Sequence, residues 1–361
     1  MRLLLFNLAT DADDPILGFA TRWISALAEY MESIDVITMR SGKVEVPKNV
    51  RVYSVGKEKG YSEPRRASEF YRILGNLLTE QHYDACFAHM MPLFAVMAAP
   101  FLRLKKIPIV LWYAHKSVTP LLRLATFLVA RVVTSTQAGF RISSSKVQVI
   151  GQGINTEKFV PKQEGNSRNQ TFTILTVGRL SPIKRIELLI AAVALCKEKH
   201  PELSVIVKIV GAAATDTDKF YEAKLFSVVE TYHLQNIVIF TGSKTYEQLV
   251  HFYHQADCFV NLSETGSIDK AVLEAMSCGL PVITNPAFTN LLSAELSHWV
   301  IDGDPVKLCD RLLLLASMPE IERCKLGHQL RNIVVQEHSL TGLCSQLVRE
   351  FKSVNQLYHK E

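Results

Sequence analysis

Residues 260–284 read VNLSETGSIDKAVLEAMSCGLPVIT, and the order of residue types there leaves few folds open. The apolar run 258–262 reads as a buried strand. A polar, glycine-containing loop follows, then a helix from about 270 to 277, closed by Gly279 and stopped by Pro281. A second short strand, 281–284, comes straight after. Strand, loop and helix N-terminus together form a device whose exposed N–H groups and helix dipole favour an anion. Glu274 lies four residues after Lys270. It either meets that ammonium on the helix surface or reaches hydroxyls of a ligand above the loop.

Residues 174–190, ILTVGRLSPIKRIELLI, repeat the order strand, loop, helix. Gly178 permits a tight backbone, Arg179 projects from the loop, and Lys184 stands where the next helix begins. An arginine and a lysine five residues apart at a strand's carboxyl end suit a diphosphate, because Arg forks to phosphate oxygens and Lys adds a point charge. The plainer alternative is an ordinary βα turn with solvated basic residues. Strand-like and helical runs alternate along the whole chain, which argues for parallel α/β architecture, and 361 residues suit two domains. Strands are expected at 3–8, 34–39, 50–55, 85–88, 107–113, 131–135 and 147–150, then at 172–177, 205–210, 237–240, 258–262, 281–284 and 299–301.

Three stretches together carry a family resemblance: the loop Gly178-Arg179-Leu180 with Lys184, the segment VIGQGINTEKFVP at 149–161, and the block Leu273-Glu274-Ala275-Met276-Ser277-Cys278-Gly279-Leu280-Pro281-Val282-Ile283. They resemble the donor site and interdomain segment of GT-B glycosyltransferases, in particular the large retaining family numbered four (glycosyl transferases group 1). The resemblance implies an α/β fold of two Rossmann-like domains whose parallel sheets face a cleft, with a C-terminal helix crossing back to the first domain. The expected division is an acceptor-binding domain over 1–160, a nucleotide-sugar domain over 161–340 and the crossing helix over 341–361. The polar run 162–170, KQEGNSRNQ, is the best linker by composition.

The implied activity is transfer of a sugar from a nucleotide-sugar donor to an acceptor hydroxyl, with retention, in polysaccharide or glycolipid synthesis at the cell envelope. Arg179 and Lys184 would stabilise the leaving diphosphate. His115, just past a strand's carboxyl end, would orient the sugar. Gly178, Gly266, Ser267, Asp269, Lys270 and Glu274 would bind the donor, with Glu274 on the ribose and Gly211 and Gly242 near the nucleobase. Gly18, Lys116 and Ser117 would line the cleft or acceptor side. No cofactor or metal is expected, since the donor is a substrate; Asp11, Asp13 and Asp14 lack EF-hand spacing and read as a solvated loop.

One departure stands out. Relatives pair two glutamates separated by seven residues; Glu274 matches the second, but Gly266 stands eight positions earlier. Asp269 would take over the missing contacts and Lys270 would pair with phosphate, or else the loop has lost donor chemistry. A non-catalytic nucleotide-sugar binder and a membrane-peripheral scaffold are the alternatives from other classes.

Charge is uneven. Residues 1–165 hold 21 Lys+Arg against 14 Asp+Glu, and residues 166–361 hold 19 against 21. A basic first half attracts an acidic acceptor or an anionic membrane face, or is simply a solvated surface. The apolar segment MMPLFAVMAAPFLRL at 90–104, followed by Lys105 and Lys106, reads as a core helix or as one touching a membrane. No basic-aromatic patch points to nucleic acid. The seven cysteines form no CxxC pair, so free thiols in a cytoplasmic, reducing setting are expected. The opening apolar run is too short for a signal segment or a membrane span.

Overall fold

A computed structural model describes residues 1–14, 17–162, 171–264 and 268–358. The chain folds as two compact units, one made of Met1–Gly153 with Leu340–Glu361 and the other of Ile154–Ser339. The sequence boundaries at 160 and 340 thus compare with divisions at 153/154 and 339/340. The chain enters the second unit early because Ile154 and Phe159 are already buried in its core. Ile154 also bridges to Ser339, so entry and exit lie side by side. Of the run 162–170, only Lys162 lies within the described residues.

The first unit alternates β1 (Arg2–Thr10), α1 (Gly18–Ala28), β2 (Ser33–Ser41), β3 (Val50–Ser54), α2 (Glu63–Glu80), β4 (Ala85–His89), α3 (Pro92–Leu104), β5 (Ile109–Trp112), α4 (Pro120–Leu128), β6 (Arg131–Thr134) and β7 (Val147–Val149). All pairings are parallel, in the order β3-β2-β1-β4-β5-β6-β7. β1 is buried on both faces, with Leu3, Leu4 and Phe6 fully inaccessible. That explains its unbroken apolar sequence, since a central parallel strand has helices on either side.

The second unit continues with β8 (Phe172–Val177), α5 (Ile186–Lys199), β9 (Val205–Val210), α6 (Asp216–Thr231), β10 (Val238–Phe240), α7 (Tyr246–Gln255), β11 (Cys258–Asn261), α8 (Lys270–Ser277), β12 (Val282–Thr284), α9 (Pro305–Ser317) and α10 (Glu320–Glu337). Its sheet runs β10-β9-β8-β11-β12, again parallel. The strand expected at 299–301 is not formed. Residues Ala294–Trp299 wind into a 3₁₀ helix, and only an isolated bridge ties Val300 to Thr284. Three apolar residues gave the reading of a strand, but Trp299 is buried from the helical turn instead.

The last helix, α11 (Leu340–Tyr358), returns to the first unit, as expected. It buries Leu343, Cys344, Leu347, Val348, Phe351 and Val354 in one cluster with Trp23, Phe87 and Trp112. At about 1.5–3 kcal/mol for each large side chain, this face is a major part of that unit's core.

In both sheets the strand order reverses once, between β1 and β4 and between β8 and β11. Such switch points open a crevice at the strands' carboxyl ends, where α/β sheets take ligands.

His338 closes the second unit: its carbonyl accepts from the Ile154 N–H at 2.8 Å, and the residue is 5% exposed. Burial pushes its pKa down from 6.5 to about 4. The unfolded chain therefore binds a proton first as pH falls, so stability is lost between pH 6.5 and 4 and is complete above 6.5. The window corresponds to roughly 3 kcal/mol. Melting from pH 7.5 to 4.5 should show a steeper decline for the wild type than for His338→Gln; parallel curves would refute the assignment.

Candidate functional site

Three glycines mark the carboxyl ends of β8, β9 and β10. Gly178, Gly211 and Gly242 have φ of 151°, 150° and 70°, values that L side chains rarely adopt. They are laced together: the Gly178 N–H donates to the Val210 carbonyl at 2.9 Å and the Gly211 N–H to the Gly242 carbonyl at 3.0 Å. A Cβ on Gly211 would stand 1.9 Å from the Gly178 oxygen. Bare backbone is thus required where β8 meets β9, beside the switch point.

The loop after β8 carries the cations. Arg179 is half-exposed, and its Nε lies 3.5 Å from Oδ2 of buried Asp218. Asp218 sits in the first turn of α6 and accepts from the N–H of Thr215 at 3.1 Å, completing a capping box. A 3₁₀ turn, Pro182–Lys184, follows, and Arg185 takes the left-handed conformation before α5 begins. The helix expected at Lys184 therefore starts two residues later. Lys184 turns back over the strand end, its Cε 3.2 Å from where a Gly178 Cβ would be. Its ammonium pairs with the Asp269 carboxylate, both side chains being mostly buried. Arg185 donates to Glu264 at 2.5 Å. Each of these three cations thus already faces a carboxylate.

Asp269 is the N-cap of α8: Oδ1 accepts the Ala271 N–H at 3.3 Å, and Oδ2 accepts from Asn261 Nδ2 at 3.1 Å as well as from Lys184. Burial raises its pKa, but the Lys184 charge and hydrogen bond, with those from Asn261 and Ala271, outweigh it and hold the carboxyl below its ordinary value. The sequence singled out Asp269 and Lys184 in separate stretches; the fold joins them. Thr176, Gly178, Lys184, Val210 and Asn261 line one small cavity there. Lys270 keeps partial exposure, yet desolvation pushes its pKa down to about 7 against the pull of Glu274 and Asp269. Glu274, one turn on, is 9% exposed, and Oε2 accepts from the Tyr253 hydroxyl at 3.0 Å. Gly266 and Ser267 lie outside the described residues.

Sequence reasoning passed over Asp218, Arg185, Tyr253 and Asn261. Asn261 alone left a signal, a polar residue closing an apolar strand. The partners of Arg179 and Glu274 come from α6 and α7, which no local pattern connects to the loop.

In the first unit, His115 is exposed just past β5, and its Nδ1 accepts the Ser117 N–H at 3.1 Å. When neutral the ring therefore offers Nε2–H as a donor. Tyr113 donates to the Ser117 carbonyl at 3.1 Å and steadies the turn, beside which Lys116 is exposed. Gly18 opens α1, where a Cβ would meet the Ala12 oxygen at 2.9 Å. Of the loop's carboxylates, Asp14 pairs with Arg40, while Asp11 accepts from the N–H groups of Asp13 and Lys43.

Residues 158–298 match the family model described as glycosyl transferases group 1. Among curated proteins, the D-inositol 3-phosphate glycosyltransferase of Salinispora arenicola is 26% identical over 196 residues, covering 48% of this chain and 43% of that protein. The putative colanic acid biosynthesis glycosyltransferase WcaL of Escherichia coli is 25% identical over 198 residues, covering 52% and 47%. The match thus spans less than half the length of these relatives. Similar solved structures include Anabaena Alr3699/HepE in complex with UDP and glucose (TM-score 0.77, 16% identity, 98% of this chain and 100% of that one). Another is the sucrose-phosphate synthase of Thermosynechococcus elongatus (TM-score 0.78, 16% identity, 100% of both). Their shared fold is GT-B.

Proposed function

We propose, for a chain whose residues 158–298 match the glycosyl transferases group 1 model and whose fold is GT-B, transfer of a sugar from a nucleoside-diphosphate donor to an acceptor hydroxyl, with retention at the anomeric carbon. The observation that carries the reading is the switch point of the second sheet. Close-packed glycine backbone, Arg179, Lys184 and the N-terminus of α8 converge there. As the anomeric C–O bond to phosphate breaks, the acceptor oxygen bonds to carbon on the same face and its proton passes to the departing phosphate oxygen, and until it arrives negative charge collects on the diphosphate. Fixed cations and N–H groups stabilise that charge more than the ground state. Arg179 and Lys184 supply it in place of a metal, Glu274 holds the ribose, and His115 orients the sugar. A saccharide or lipid-linked acceptor of envelope or polysaccharide synthesis fits this reading.

The test is a thermal-shift series with UDP, GDP and ADP, followed by transfer and donor hydrolysis with the sugar of whichever nucleotide stabilises the protein. Stabilisation follows ligand concentration over affinity, and UDP comes first because a structural neighbour binds it. Nucleotide binding without turnover, in the presence of EDTA or of Mg²⁺, would replace the enzyme by a binder.

Lys270 adds a pH dependence. With its pKa near 7, the ammonium is mostly charged at about pH 6 and mostly neutral at about pH 8. A diphosphate favours the charged form, so nucleotide affinity should fall several-fold as pH rises from 6 to 8, and binding at pH 7.5 should take up a proton. Calorimetry in buffers of different ionisation enthalpy measures this; Lys270→Met should abolish the uptake.

A further inference from the structure

The first unit carries a surface unrelated to the strand ends discussed above. From Ala85 to Thr156 the chain has no Asp or Glu but eight Lys and Arg. α3 buries Phe94, Ala95, Ala98, Ala99 and Leu102. Its opposite stripe shows Leu93, Phe101 and Leu104, and Leu104 is 83% exposed. α4 packs beside α3 and buries Leu122, Ala125 and Thr126, leaving Leu124 and Phe127 outward, Phe127 at 76%. Both helices run back from carboxyl strand ends, so their C-terminal turns meet at the opposite edge of the sheet, where Arg103 and Phe127 line one groove with Leu357. Tyr71 extends the patch, its ring 5.6 Å from that of Phe101.

Around these apolar side chains stand Arg103, Lys105, Lys106 and Arg123, all exposed. Lys106 follows the end of α3 with φ 55°. On the flanking helices, Glu69 pairs with Arg72 and Glu350 with Arg131. Large apolar side chains at the tip with a cationic collar fit one environment: apolar groups enter the acyl boundary while cations meet anionic headgroups. Among the described residues no helix is long and apolar enough to cross a membrane, so the contact is a surface one. We propose that the α3–α4 face docks this protein onto an anionic phospholipid bilayer. Charge complementarity decides for lipid over a second copy, because two copies of a carboxylate-free collar repel.

The experiment is co-sedimentation of the full chain with vesicles of phosphatidylcholine alone or with 30% phosphatidylglycerol. Binding to the anionic vesicles only, weakened by 0.5 M NaCl, is the expected result. Leu104→Gln/Phe127→Gln and Lys105→Glu/Lys106→Glu should each reduce partitioning at least about tenfold while leaving the melting temperature and nucleotide binding unchanged, since these side chains face solvent. Failure to bind anionic vesicles, equal binding to neutral ones, or binding indifferent to both double variants would overturn the proposal. A concentration-dependent dimer abolished by the same variants would assign the face to self-association and overturn it too.

Discussion

Replacing Arg179 by Ala should lower transfer by about 10²–10³-fold, and replacing Lys184 as well should bring the loss to at least about 10³-fold, the scale seen when fixed charge stabilisation is removed from a developing anion. The two cations differ structurally, which makes the experiment informative. Arg179 is half-exposed, so its pair with Asp218 contributes little to stability. Arg179→Ala should melt with the wild type. Lys184 is mostly buried against Asp269, and removing it strands a carboxylate, which costs roughly 3–5 kcal/mol. Lys184→Ala should therefore lose stability together with activity. Lys184→Ala/Asp269→Asn should regain much of the stability and none of the activity. Single-turnover kinetics beside thermal melts separate these outcomes. Wild-type transfer by the Arg179→Ala, Lys184→Ala pair would sink the mechanism.

The largest effect on stability alone is expected at Gly327. This residue lies inside α10, where Ala ordinarily stabilises a helix by up to about 1 kcal/mol relative to Gly. Here the sign should reverse. A Cβ on Gly327 would sit 1.8 Å from the carbonyl oxygen of Gly279, the residue that ends α8 with φ 72°. That oxygen is backbone and cannot swing aside, so α10 must lift from α8. Lifting also disturbs Arg331, whose guanidinium reaches the carbonyls of Ser277, Phe159 (2.8 Å) and Thr156 (3.1 Å). Gly327→Ala should cost roughly 2–4 kcal/mol, read as a fall of about 5–10 °C in the second unit's melt. Gly75 is the control. It also lies within a helix, α2, but a Cβ there meets nothing within 4 Å, so Gly75→Ala should be neutral or stabilising by up to about 1 kcal/mol. Equal effects at the two glycines would refute the packing argument.

Legibility followed locality. β8, β9 and α8 stood in the sequence at their observed limits, because each is an apolar run or a capped helix bounded by Gly or Pro. The backbone role of Gly178 and Gly211 was likewise readable, since a glycine at a strand's end signals a conformation other residues avoid. The pairing of Lys184 with Asp269 was not, because 85 residues separate them and only sheet order brings β8 beside β11. Residues 299–301 failed for the opposite reason: too short to carry a period, they took the conformation that buried Trp299.

The return of α11 to the first unit sets an order of events during synthesis. Leu3, Trp23, Phe87 and Trp112 share a cluster with Leu343, Leu347 and Phe351, yet the whole second unit is translated between them. As the chain leaves the ribosome, the second unit has every residue of its own core before the first has its last helix. Until residues 340–358 emerge, the first unit waits with one side of its sheet incompletely covered. Chaperone engagement and sensitivity to truncation should concentrate there, far along the chain from the strands they affect.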